Sequence, residues 1–163
     1  MPGDNGITQT VNSIRDLVFY GIRDVNLRRR AENIVASCLE RDENSEISCL
    51  FQWVLDHYRY VRDPVGLEMV KEPGVMDGEI LKQGFFQGDC DDASTYLATL
   101  LMSLGYKVKA VVIAVPGKGD PYRHIFLRVF LSKANRWLDL ETTAKNKPIG
   151  WAAKFSRIRE YPL

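Results

Sequence analysis

Gly88-Asp89-Cys90-Asp91-Asp92 opens the stretch that decides the fold, followed by the apolar ladder Ala93, Leu97, Leu100, Leu101, Leu104 and then Gly105. The ladder has helical spacing and predicts a core-facing helix. Gly105, just past its end, is the usual left-handed stop. At the other end Asp89 is placed to cap the free N–H groups of the first turn. Cys90 therefore occupies the first position of a buried helix, where free amides and the helix dipole favour a thiolate and bind an oxyanion.

Three carboxylates around one thiol work against ionisation. At an effective dielectric near 20, a charge about 7 Å away costs roughly 2 kcal/mol before screening, while the helix end returns about 0.3–1 kcal/mol. A reactive Cys90 needs a cation in contact, and an imidazolium at about 4 Å supplies roughly 4 kcal/mol. The sequence holds two histidines, His57 and His124. His57 sits on the flank of a helical pattern, Phe51–Tyr58. His124 opens a strand-like run, His124–Leu131, after the turn Pro116–Pro121, and a second such run, Trp137–Glu141, follows Ser132–Asn135. The even positions His124, Phe126 and Arg128 share one face, and Trp137, Asp139 and Glu141 share one face of the next strand. With Phe126 beside Trp137, His124 lies beside Asp139, and Asp139 then orients an imidazole held against a thiol. That pairing needs a turn near Leu131–Ser132 or a bulge. A turn centred on Ser132–Asn135 sets Asp139 opposite Arg128, a slip of about 13 Å. The motif order is taken to prevail.

These residues resemble the transglutaminase-like superfamily: Gly88-Asp89-Cys90-Asp91-Asp92, the helix ending in Leu104-Gly105, His124, and Trp137-Leu138-Asp139. Phe51-Gln-Trp-Val, Tyr60-Val-Arg-Asp-Pro64 and the loop through Glu68 and Pro73 are similar to small phage and bacterial versions. The resemblance spans roughly residues 45–145 and departs from the family pattern at Phe126-Leu-Arg128 and Leu140-Glu-Thr142. It implies a papain-like α+β fold, with N-terminal helices and a Cys-bearing helix packed on an antiparallel sheet. It also implies a Cys90–His124–Asp139 triad cleaving an amide or peptide bond through a thioester. The Cys90 N–H forms part of the oxyanion hole, with Gln87 or Gln83 as candidates for the second donor. Acyl transfer to an amine and a non-catalytic virion or scaffold protein are the alternatives. Lys118, in the turn before His124, would repel a protonated amine acceptor and favours hydrolysis.

The rest of the chain sets bounds. At 163 residues it can bury about 70% of its unfolded surface, as one domain or a domain of residues 45–163 with a helical extension over 1–44. Lys and Arg total 22 against 21 Asp and Glu, which gives no general argument for nucleic acid or membrane. A peptide or protein substrate is the partner expected, with no cofactor and no metal; Asp89, Cys90, Asp91 and His124 diverge too much to share an ion. The absence of an apolar leader or long apolar run, and three scattered cysteines, point to a reducing cytoplasm, or to the virion if the gene is a phage's.

Three helical stripes precede the motif: Ile7, Val11, Ile14, Val18; Leu27, Ala31, Ile34, Val35, Cys38; and Ile47, Leu50, Phe51, Val54, Tyr58, with Ser45 as a cap. Cys38 and Cys49 read as core residues, and Arg28–Arg30 as a solvated face beside Glu32. Residues 62–88 lack periodicity, apart from a short helical turn at Glu79–Lys82, and read as a loop walling the cleft. Lys107–Val115 is a central strand. From Ala144 onward the chain is basic and is expected to wrap the surface or form a short helix.

Overall fold

The computed structural model describes residues 4–64, 69–117 and 122–163. The expectations placed on Gly66, Glu68, Lys118 and Pro121 lie outside them. Three helices come first, α1 (Asp4–Gly21), α2 (Val25–Ala36) and α3 (Glu43–Asp56). The stripes Ile7–Val18, Leu27–Ile34 and Ile47–Val54 are their buried faces. Asp42, not Ser45, caps α3: its carboxylate accepts the Ser45 N–H at 2.9 Å, so Ser45 is the capped third residue. Tyr58 lies beyond this helix, on β1 (Tyr58–Tyr60).

The expected loop over 62–88 is largely ordered structure. It contains α4 (Pro73–Gln83) and β2 (Phe86–Gly88), which pairs in parallel with β1. Pro73 stands in the first turn of α4, where its missing N–H costs nothing. Gly84, at φ 86°, ends the helix in the left-handed region. Two glycines and exposed Val75 and Leu81 hide its apolar period from the sequence.

Helix α5 (Cys90–Ser103) is the centre of the molecule. Every residue from Cys90 to Leu101 is buried, as in a core helix. Of its buried hydroxyls, Thr95 and Thr99 donate back to the Asp91 and Thr95 carbonyls, while Ser94 Oγ meets no partner among the described residues. One hydrophobic cluster joins α5 to α1, α2, α3 and the inner face of the main sheet. That sheet is antiparallel, in the order β5 (Arg136–Leu140), β4 (Tyr122–Leu131), β3 (Val108–Ala114), β6 (Arg157–Pro162). The tail after Ala144 is therefore neither a surface wrap nor a helix at its end: Arg157–Pro162 adds an edge strand beside β3. The charged alternation of Arg157, Arg159 and Glu160 suits an edge open to water.

Cys38 and Cys49 are joined by a disulfide, with Cα atoms 6.3 Å apart. Cys38 lies past the end of α2 instead of on its buried stripe. The reading of two free core thiols is corrected, and with it the cysteine argument for a reducing compartment. No helix among the described residues is long and apolar enough to cross a membrane.

Candidate active site

The N-terminus of α5 is held by a reciprocal capping box. The Asp89 carboxylate accepts the Asp91 N–H at 2.9 Å and the Asp92 N–H at 3.4 Å, while Asp92 Oδ2 accepts the Asp89 N–H at 3.2 Å. Asp92 Oδ1 also accepts the Lys71 N–H at 2.7 Å, tying the segment before α4 to the helix start. Gly88 is required here, because a Cβ on it would lie 2.3 Å from Asp92 Oδ2. Burial pushes the Asp92 carboxyl up to about 6, against the pull of the Lys71 N–H.

Cys90 is the free cysteine among the described residues, and it is buried. Its thiol donates to Asp91 Oδ1 at 3.6 Å, and the Ile125 N–H meets the sulfur from β4. Register explains that second contact. Strand β5 pairs with β4 from Leu127 to Leu131, so among the described residues the first half of β4 has no strand on that edge. Burial first, then the charges of Asp91 and Asp89, push the thiol well above its ordinary value, with the Ile125 N–H acting the other way. The resting group is a thiol. Among the described residues none of its hydrogen bonds goes to the His124 ring. The Cys90 N–H itself meets no acceptor among them.

His124 is one residue before that amide, with its ring 16% exposed. It is not beside Asp139. The hairpin turns through Ser132–Asn135, with Asn135 at φ 49°, and this sets Arg128 opposite Asp139. Turn geometry outweighs motif order, and Arg128 Nε donates to Asp139 Oδ1 at 2.6 Å. Arg128 also pairs with Glu160.

The carboxylate at His124 is Glu141, whose Oε2 lies 2.6 Å from Nε2. Glu141 shares the strand face of Asp139 and, by extension of the register, lies diagonal to His124. The extra methylene of glutamate covers that diagonal. The other oxygen, Oε1, accepts the Thr143 N–H at 3.0 Å and the Thr143 hydroxyl at 2.7 Å. Burial raises the Glu141 carboxyl, but the His124 hydrogen bond and charge and the two Thr143 bonds outweigh it, leaving the group below its ordinary value. Parity together with the turn centre would have found Glu141 in the sequence.

The other donors are more peripheral. Gln83 Nε2 donates to the Phe85 carbonyl at 3.0 Å at the exposed end of α4. Gln87 sits in β2, and its backbone is clamped: the N–H donates to Glu79 Oε2 at 3.1 Å and the carbonyl accepts from Lys71 Nζ at 2.6 Å. Tyr58 donates its hydroxyl to the Asp89 carbonyl at 3.1 Å, bracing the turn before Cys90. The divergence expected of Asp89, Cys90 and Asp91 is corrected: their ligand atoms lie within 4.8 Å of one another, with His124 outside the group. His57 caps α3 and stacks on Trp53, with ring centroids 4.1 Å apart, away from this chemistry.

Helices gathered around a Cys-bearing core helix that packs on an antiparallel sheet make a papain-like, transglutaminase-like fold. Solved structures carry the same likeness. A candidate cysteine protease from Cytophaga hutchinsonii superposes with a TM-score of 0.55 at 11% identity, over 85% of this chain and 50% of that one. LapG from Legionella pneumophila, EGTA-treated, gives 0.54 at 15% identity over 91% and 78%. The Rad4/XPC nucleotide excision repair complex gives 0.55 at 10% over 94% and 45%. This chain thus spans half the length of the Cytophaga protein. No family model matches the chain, and no curated protein sequence does. At these identities the likeness defines the fold, which is shared by a candidate protease and a DNA-repair complex alike.

Proposed function

We propose that the chain is a cysteine-dependent hydrolase of an amide or peptide bond, with Cys90 as nucleophile, His124 as base and Glu141, not Asp139, as the group that orients the imidazole. The observation carrying this reading is the 2.6 Å His124–Glu141 contact on the residue next to the amide that meets the Cys90 sulfur. Nε2 faces the carboxylate, which leaves Nδ1 for the thiol. Because the resting sulfur is protonated, the base acts at the moment of attack instead of through a standing ion pair. The thiol exchanges Asp91 for Nδ1, gives up its proton and forms the C–S bond. Negative charge then develops on the carbonyl oxygen, against the free Cys90 N–H. The imidazolium, stabilised by Glu141, protonates the leaving amine as the C–N bond breaks. Water, deprotonated by the same imidazole, cleaves the thioester and returns the thiol.

The raised thiol favours a second reading, a scaffold that keeps the fold without the chemistry. An electrophilic peptide probe, read by mass spectrometry in the parent and in His124→Ala, separates the two. Labelling of Cys90 that depends on His124 supports the hydrolase, and no labelling in either supports the scaffold. A labelled primary amine offered with an acyl donor then tests acyl transfer: amide conjugate in excess of free acid at millimolar amine would assign a transferase.

A further inference from the structure

Away from Cys90, helices α2 and α4 face each other across an open cleft of about 330 Å³. Its α2 wall is Asn26, Arg29, Arg30 and Asn33, and its α4 wall is Gly74, Asp77, Gly78 and Leu81. Each set follows the i, i+3, i+4, i+7 spacing of one helix face. Gly74 and Gly78 hold the cleft open. Neither has a positive φ, and glycine inside a helix costs about 0.5–1 kcal/mol relative to alanine. The packing of the chain does not require them. A Cβ on Gly78 would meet nothing within 4 Å, and one on Gly74 would make an ordinary 3.7 Å contact with Asp24 Oδ2.

The charges in the cleft sort into used and unused. Arg30 Nε donates to Asp77 Oδ1 at 2.8 Å, and the Tyr96 hydroxyl donates to the same oxygen at 2.7 Å, so that pair is satisfied within the protein. Arg29 makes no ion pair among the described residues and is exposed. At the start of α2, Asp24 spends Oδ1 on the Asn26 N–H at 2.8 Å and turns Oδ2 toward Gly74. One cation and one anion are left, both lining the cleft and offset along the α2 axis by about 7.5 Å of helical rise. Two extended residues span about 7 Å.

We propose that the α2–α4 cleft binds a zwitterionic peptide of about two residues, its ammonium at Asp24 and its carboxylate at Arg29. The side-chain amides of Asn26 and Asn33 offer a donor and an acceptor each to the peptide bond. Leu27 on the floor and Leu81, 73% exposed, receive an apolar side chain. The site uses no residue of the thiol centre and stands or falls apart from it.

The test is titration of the full chain and of Cys90→Ala with glycyl-leucine, followed by calorimetry or amide NMR. Saturable binding, equal in the two proteins, is expected. N-acetyl-glycyl-leucine and glycyl-leucinamide, each lacking one terminal charge, should bind at least about tenfold more weakly, a difference of 1.4 kcal/mol. Arg29→Gln should weaken glycyl-leucine by a similar factor. Gly78→Leu should abolish binding by filling the cleft, with an unfolding temperature no lower than the parent's. No saturation by about 10 mM peptide, equal binding of the blocked peptides, or full affinity in Gly78→Leu would each overturn the proposal. If Gly78→Leu does not fold, the blocked peptides and Arg29→Gln still decide it.

Discussion

Asp139 and Glu141 stand two residues apart on the same strand face, and each meets one cation of β4. Asp139 lies directly opposite Arg128, 22% exposed, in a pair that also draws on Glu160. Glu141 reaches diagonally to His124, is 3% exposed, and has its second oxygen held by Thr143. The first is an ion pair across a sheet face open to solvent, where the expected worth is small. The second is a buried carboxylate whose partner is the one described imidazole near the thiol. Two residues along one strand face separate a structural pair from a candidate catalytic one, and side-chain length selects between them.

The largest expected effect tests the cation side of the second pair. His124→Ala should lower kcat/KM for an activated ester or peptide substrate by about 10³-fold or more, and with it the rate of Cys90 labelling. Equal labelling in the variant would remove His124 from the site. Next is Glu141→Gln, expected to cost about 10²-fold in kcat with KM little changed. Glu141→Asp should recover little of it, because the shorter side chain cannot cover the diagonal; full recovery would mean the diagonal geometry is irrelevant.

Asp92 sharpens the comparison as a buried carboxylate with amide partners in place of a cation. Its folded value, raised to about 6, means the native state binds this proton more tightly than the unfolded chain. The stabilisation from the proton is complete below about pH 4 and is lost as pH rises through about 6. Relative to Asp92→Asn, the parent should lose about 1–2 kcal/mol between pH 4 and pH 8, within the roughly 3 kcal/mol that two pH units allow. Urea unfolding at both pH values measures it, and a pH-independent difference would contradict the assigned burial effect. The smallest effect belongs to Asp139→Asn, expected to cost under about 1 kcal/mol of stability and to leave turnover within about twofold. A loss on the scale of Glu141→Gln would restore Asp139 to the catalytic group.

How much of this was legible in the sequence follows the strength of each local signal. Helix α5 was readable because its ladder, its Asp89 cap and the Gly105 stop, at φ 88°, agree. The α1 stripe and the central strand β3 were equally plain. Helix α4 was not, since Pro73, Gly74 and Gly78 dilute an apolar period that is itself half exposed. Edge strand β6 reads as a charged tail because Arg157, Arg159 and Glu160 surround its two packed side chains, Ile158 on one face and Tyr161 on the other. The Cys38–Cys49 bond joins a loop to a helix, a juxtaposition that no spacing rule encodes. The third member of the site turned on a hairpin: Ser132–Asn135 carried the right register, and family order pointed two residues short of Glu141.

Strand β6 has a consequence for how the chain is made. Its partner β3, with Ala110 to Ala114 fully buried, is synthesised well before Arg157–Pro162. Until β6 arrives, one whole side of β3 offers unpaired amides and carbonyls to any passing polypeptide. A nascent chain stalled short of Arg157 would therefore be adhesive toward its own copies, and the docking of β6 is the seal that ends that exposure.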